Sequence, residues 1–240
     1  MKIYGWQHFV YLAVFIVFST IGLILAKKFV KTERAQNIFI KVIGVALFLS
    51  IFASRLSITL CGSNPQWHHM IPNQFCGMSS LVLSLAVIFG KKNNNVYHFV
   101  WFLALLGGVI TMAYPDFLPQ NPSFFYPPTI TGMLHHSLSI VMVVVLLMFN
   151  QIEITYKKWY CVLFGFTSYF TVGAFLIGFL GYGDAFHIKT PILSGTPLNA
   201  WVMAPIYIVL YGLVVLMIEI IRKRNKNRTK ESVSGKTTEI

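Results

Sequence analysis

Residues 38–60 read IFIKVIGVALFLSIFASRLSITL. This run of 23 residues holds two charges, Lys41 near its start and Arg55 about five residues from its end. A helix crossing roughly 30 Å of hydrocarbon needs about 20 mostly apolar residues. Within lipid such a segment must be helical, because unpaired backbone groups find no water there. The run therefore reads as a membrane span. Moving outward, six more stretches read the same way: about 8–26 before it, then 73–90, 97–114, 130–149, 158–180 and 200–221 after it. The one at 73–90 is the shortest. The expected fold is all-α: a polytopic membrane protein of seven transmembrane helices forming one domain over residues 1–221. Residues 222–240 are expected to be a basic, disordered tail.

The whole chain agrees with this reading. Of its 240 residues, 56% are apolar and only 11% are charged, against about 25% charged in an ordinary soluble domain. Mean hydropathy is +0.67. A disordered chain, a disulfide-rich secreted module and a typical soluble enzyme are excluded. The three cysteines are too few for a disulfide framework.

The net charge of +12 follows from topology. Sixteen of the 19 basic residues fall in alternate connecting segments and the C-terminal tail: Lys27, Lys28, Lys31, Arg34 and Lys41; Lys91 and Lys92; Lys157 and Lys158; then seven from Arg222 to Lys236. The intervening segments hold only Lys2 and Lys189. Basic segments stay on the inner side, so the N-terminus is expected outside and the C-terminus inside. Lys27 and Lys28 follow the first apolar stretch instead of preceding it, which reads as an uncleaved anchor and not a signal peptide. The basic tail is expected to attract anionic inner-leaflet lipid, at about 1 kcal/mol per residue near the surface. No soluble segment is long enough for a nucleic-acid reader, and no nucleic-acid partner is expected.

The segments on the other side carry few cations but many reactive groups. Residues 61–72 read CGSNPQWHHMIP, with His68 and His69. Residues 115–129 read PDFLPQNPSFFYPPT, with Asp116. Residues 181–199 read GYGDAFHIKTPILSGTPLN. Six of the seven histidines, all but His98, fall near this face.

Cys76 is the leading candidate among them. Pro72 closes a loop, Asn73 is a good N-cap, and Cys76 then falls at the third helical position. Free backbone N–H groups and the helix dipole favour an anion there, which activates a thiol. The bland alternative is a small cysteine that merely fills space. His136, at similar depth in the fifth span, is the natural proton acceptor for the thiol. His135 competes for the role. Neighbours on a helix point about 100° apart, so only one of the two is expected to face a given cavity.

Arg55 is a charge inside a span, and such charges face a cavity or a partner unless they snorkel. It could hold a phosphate or carboxylate. Asp116 could pair with Arg55 or orient His136. His69 and His135 complete the candidate substrate-binding set. A zinc reading of these histidines and cysteines lacks a C-x-x-C or H-E-x-x-H spacing, so no metal and no cofactor are expected. Cys61 and Cys76 could also bridge, which would remove the thiol. Gly107, Gly108, Gly173, Ala174 and Gly178 would permit close helix packing.

The stretches IPNQFCGMSSLVLSLAVIF (71–89), FVWFLALLGGVITMAYPDF (99–117) and His136-Ser137-Leu138, in this order across seven spans, resemble the YwaF-type bacterial membrane proteins, related to eukaryotic transmembrane protein 164. The resemblance covers nearly the whole chain. It implies a membrane lipid acyltransferase that uses a Cys and a His, falling here on Cys76 and His136. The family pattern places an acid directly after the Cys; this chain has Gly77, and Asp116 is the possible substitute.

The expected function is therefore a lipid acyltransferase or transacylase of the cell membrane. Its partners would be a phospholipid acyl donor and a lysolipid acceptor, with the acyl chain held in an apolar cavity between helices. Two other classes stay open: a non-enzymatic transporter or ligand receptor, and a metal-dependent lipid hydrolase.

Overall fold

The computed structural model describes residues 4–61, 66–121, 123 and 125–236, apart from the side chains of residues 69, 117 and 226–236. Among the described residues there is no strand. The long helices are α1 (Trp6–Phe29), α2 (Glu33–Cys61), α3 (Phe75–Phe89), α4 (Asn95–Ala113), α5 (Pro127–Met148), α6 (Tyr160–Gly178) and α7 (Ala200–Lys236). Single 3-10 turns lie at Trp67–Met70, Pro115–Phe117 and Tyr156–Lys158. Residues 237–240 lie outside the description.

Local chemistry sets several of these boundaries. Asn94 caps α4, accepting from Tyr97 N–H at 3.0 Å, as a short side-chain acceptor does for an orphan donor. The same helix stops at Ala113, two residues before Pro115, because proline disfavours helical backbone in the residue ahead of it. Pro127 opens α5, where its missing N–H costs nothing. Among the described residues, six helices are long and apolar enough to cross a membrane. The seventh, α3, has 15 residues, or about 22 Å at the helical rise.

Helices α2, α3, α4 and α5 pack on one another as the core, and α6 lies against α4. Helix α7 closes on this group through Tyr207 and Tyr211, whose rings meet Phe102 and Trp101. Helix α1 is nearly bare: Phe9, Ile16, Phe18, Ile21, Ile24 and Phe29 are all more than half exposed. With outward-facing Phe164, Phe175, Leu213 and Ile221, it forms an apolar exterior suited to lipid, not water.

Hydroxyls hold the core helices in register. Ser57 on α2 bonds Thr131 on α5 at 2.9 Å. Ser80 on α3 bonds Ser139 on α5 at 2.6 Å. Ser79 on α3 bonds the Tyr169 hydroxyl on α6 at 3.0 Å. Small polar side chains suit such contacts because they satisfy buried groups without separating the helices.

Glycines set how closely the helices approach. A Cβ on Gly107 of α4 would lie 2.7 Å from Cys76 Cβ on α3, and one on Gly108 would lie 3.0 Å from His136 O and 2.8 Å from Ile140 Cγ1 on α5. Gly165 of α6 lies directly beneath the Phe99 ring. The packing role expected of Gly107 and Gly108 is thus seen. That expected of Gly178 is not, since nothing lies within 4 Å of the space its Cβ would take. Gly173 touches Ile188 and Phe186 of a loop, not a helix.

The segment 179–199 covers the start of α3. Phe186 N–H donates to Asn73 O at 2.7 Å, and Asn73 Nδ2 donates to Asp184 O at 3.4 Å. The ring nitrogen Nε2 of His187 bonds Gln74 Oε1 at 3.0 Å. Phe186 is fully buried and packs on Phe75 and Tyr169. Asp184 organises the loop: it accepts from the N–H groups of Ala185, Lys189 and Thr190 and from the Thr190 hydroxyl. Helix α3 is short because its first turn is sunk beneath this cover.

At the opposite end, Asn93 takes a left-handed backbone with φ of 55°. Its Oδ1 accepts from His98 Nε2 at 2.8 Å and from Glu153 N–H at 3.1 Å. Lys158 donates to its carbonyl at 2.7 Å. Asparagine tolerates this conformation better than most residues.

Gly108→Leu is expected to force α4 and α5 apart and lower stability by about 1–3 kcal/mol, read as thermal unfolding in detergent. Gly178→Ala should leave the unfolding temperature unchanged. A second expectation concerns pH. Burial pushes the Asp184 carboxyl up, but its four hydrogen bonds outweigh this and hold it below its ordinary value. The folded state then binds fewer protons than the unfolded state, so its contribution is complete above the ordinary carboxylate range. It is lost as pH falls through the depressed folded value. Hydrogen exchange at Ala185, Lys189 and Thr190 should therefore accelerate in acid. In Asp184→Asn it should be fast already at neutral pH and vary less with pH.

Candidate functional site

The Ser80–Ser139 bond fixes what lies one turn nearer the helix starts. Helices α3 and α5 run the same way, as alternate members of an up-and-down bundle. Cys76 precedes Ser80 by four residues; His135 and His136 precede Ser139 by four and three. Residues at these spacings share a helix face. The cysteine and the two histidines therefore lie in the layer above the serine bridge. Gly107 and Gly108 independently give the same layer, one touching Cys76 and the other the backbone of His136.

Helix α2 adds Arg55 to this layer. It runs opposite to α5, and its Ser57–Thr131 bond sets Arg55 near the depth of His135. The guanidinium lies against Gly77: a Cβ there would be 3.1 Å from one terminal nitrogen. The space left by Gly77, beside the Cys76 backbone, is thus partly taken by the arginine. Arg55 interacts electrostatically with Cys76, Tyr182, His135 and His136. The ion pair among the described residues is Arg222 with Glu153 at 3.9 Å, so Arg55 has no carboxylate partner there.

Cys76 is half-buried and free, as are the exposed Cys61 and the buried Cys161. Its helical position differs by one from that expected. The cap is Gln74, with no side-chain capping bond, and Cys76 is the second helical residue. The reason is that Asn73 is engaged by the covering loop on both its carbonyl and its amide. The sulfur still faces backbone N–H groups, those of Cys76 itself and Gly77.

His135 and His136 depart from expectation more strongly. Both are buried, and their ring centroids are 3.9 Å apart at 35°. The 100° between neighbouring residues does not send one ring outward, because α5 is packed on several sides by α2, α4 and α1. Neither ring nitrogen of His135 makes a hydrogen bond, although the Thr131 carbonyl lies near the ring. Nδ1 of His136 is also without a partner. Buried polar atoms usually find partners; among the described residues others without one lie at His98, Trp101, Gln120, Tyr207 and Tyr211, and these three nitrogens share one layer with Cys76.

Other expected residues stand apart. Asp116 is exposed in the turn after α4 and accepts from the Tyr114 hydroxyl at 3.4 Å. It makes no contact with Arg55 or His136 among the hydrogen bonds and ion pairs of the described residues. His69 belongs to the turn Trp67–Met70, and its side chain lies outside the description. His8 is structural: Nε2 donates to Met112 O at 2.8 Å, satisfying an orphan carbonyl near the end of α4. Among the described residues no three His, Cys, Asp or Glu side chains gather as a metal site would require.

Two tyrosines belong to the cluster that the sequence did not single out for it. Tyr169 of α6 lies within electrostatic reach of Cys76. Tyr182 donates its hydroxyl to His68 O and faces Arg55. For Tyr169 the available signal was a tyrosine inside a span, whose hydroxyl must find a partner. An apolar groove of about 200 Å³ lies between α6 and α7, lined by Trp159, Leu163, Ile208 and Val215 and not by Cys76.

No curated protein and no solved structure matches the chain. The profile of the TMEM164 family matches residues 3–221. That span contains all seven apolar helices through Ile221 and every residue of the cluster. With the order of helices and the Cys–His layer already described, the chain belongs to the TMEM164 family.

Proposed function

We propose that the protein is a lipid acyltransferase or transacylase of the cell membrane, with Cys76 as nucleophile and His136 as its base. The observation that supports this reading is that Cys76 and the backbone of His136 touch adjacent glycines of α4, Gly107 and Gly108, with His136 Nδ1 unpartnered. By the distribution of Lys and Arg, this layer faces the outer leaflet.

In the first half-reaction the Cys76 sulfur attacks the ester carbonyl of a phospholipid, and its proton passes to His136. The tetrahedral intermediate carries an oxyanion. The N–H groups of Cys76 and Gly77, beside the sulfur in the first turn of α3, would donate to it. The C–O bond to the lysolipid oxygen then breaks, and His136 returns the proton to that oxygen. In the second half-reaction a lysolipid hydroxyl gives its proton to His136 and attacks the thioester. A new ester C–O bond forms, the C–S bond breaks, and the proton goes back to sulfur. The cover of Phe186 and Tyr182 limits water at the thioester and so favours transfer over hydrolysis.

Purified full-length protein, given radiolabelled phospholipid and unlabelled lysolipid in detergent, is expected to move label to the acceptor. Cys76→Ala should reduce this to background while its thermal unfolding stays close to that of the parent. His136→Gln should lower the rate by about 10²–10⁴-fold. Mass spectrometry of the parent should find an acyl adduct on Cys76. Undiminished transfer by Cys76→Ala would overturn the mechanism. Metal-dependent hydrolysis would instead be revealed by inhibition with a chelator.

A further inference from the structure

The cluster is electrically incomplete. Arg55 lies in the membrane-spanning part of α2, half-buried, with no carboxylate and no hydrogen bond to its guanidinium among the described residues. A charge at that depth costs several kcal/mol unless something compensates it. Beside it His135 is 95% buried, being 5% exposed, and neither ring nitrogen has a hydrogen-bond partner. Arg55 interacts electrostatically with His135, His136 and Tyr182. All the polar atoms left unused here are nitrogens of a guanidinium and two imidazoles. The guanidinium supplies donors and a positive charge, each imidazole one N–H donor, and the counter-charge missing here is negative.

We infer that Arg55 and His135 form a phosphate-binding subsite next to Cys76, which holds the phosphodiester of the lipid while the cysteine acts on its acyl ester. The inference rests on the acyltransferase reading only for the lipid as the source of the phosphate. A guanidinium suits this ligand because its planar fork donates two parallel hydrogen bonds to phosphate oxygens. The imidazole of His135 adds a third donor from α5. Arg55 also lies against Gly77, the residue after the nucleophile. A headgroup held by Arg55 would therefore stand within a few bonds of the carbon that Cys76 attacks, and the subsite would act as a specificity device. Phosphate-bearing lipids would be anchored, and neutral glycerolipids of equal chain length would leave the charge uncompensated.

Asp116 does not compete for the role of counter-charge, since it is exposed in another turn. Asp184, in the covering loop, is occupied by its own hydrogen bonds to Ala185, Lys189 and Thr190.

The test measures binding apart from chemistry. Full-length Cys76→Ala protein in a neutral maltoside detergent is titrated with 1-palmitoyl lysophosphatidylcholine, monopalmitoylglycerol or inorganic phosphate, and thermal unfolding is followed. The lysophospholipid is expected to raise the unfolding temperature, and monopalmitoylglycerol to do so far less. Adding Arg55→Gln should weaken the lysophospholipid effect by about ten- to hundredfold in concentration, with weak monopalmitoylglycerol binding retained as evidence of folding. Arg55→Lys should recover part of the loss, and His135→Gln should weaken binding to a smaller extent. Equal stabilisation by the two palmitoyl compounds, or lysophospholipid binding undiminished in Arg55→Gln, would overturn the subsite. Stabilisation by inorganic phosphate alone would support the subsite and overturn its assignment to a headgroup. Because no acyl transfer is measured, failure here is distinguishable from failure of Cys76 to form a thioester.

Discussion

Helix α4 presents two adjacent positions without side chains, and two other helices close on them. Gly107 receives the Cβ of Cys76 from α3, and Gly108 receives the backbone of His136 from α5. Dispersion and packing, not the hydrophobic effect, draw helices together in lipid, so closeness of approach decides which contacts form. A methyl group at either glycine would separate the helices at the level of Cys76 and His136. The hydroxyl bonds one turn deeper, above all Ser80 with Ser139, then hold the two helices in register. The site thus depends on a backbone contact before it depends on any catalytic side chain.

The same packing has an electrostatic consequence. Closing α2, α3 and α5 around one layer takes an arginine and two histidines away from water without giving them an acid. Several core polar groups in this protein find partners: His8 Nε2 on Met112 O, Ser57 on Thr131, Ser79 on Tyr169, and His98 Nε2 on Asn93. Buried atoms without a partner also occur at His98, Trp101, Gln120, Tyr207 and Tyr211; the layer at Cys76 differs in setting two adjacent imidazoles with unpartnered nitrogens beside an arginine. The cover formed by residues 179–199, pinned by Asp184 and docked on Asn73 and Gln74, lies over the start of α3.

Much of the architecture was legible in the residues. Apolar runs of span length, alternating with basic segments, lead to an all-helical membrane protein, and six of the seven runs form helices long enough to cross. Arg55 was legible as an intramembrane charge, and Cys76 and His136 as reactive types at similar depth. Other details were not. The cap of α3 shifted to Gln74 because Asn73 bonds a loop more than 100 residues away. His135 was set against His136 as a rival, yet the two rings lie together at 3.9 Å, since a helix surrounded by neighbours buries more than one face. Asp116 looked like the missing acid from its place in the chain and is instead exposed.

The sequence by itself determined which segments enter the membrane and which residue types lie near one surface. Span length and charge placement are local quantities, and the bilayer enforces them one helix at a time. Only the tertiary structure decided that Cys76, His136, His135 and Arg55 share one layer, that Tyr169 and Tyr182 border it, and that Asp116 does not. Those relations arise from helix rotation and register, which glycine contacts and hydroxyl pairs between distant segments set, and no local pattern encodes the angle at which one helix meets another.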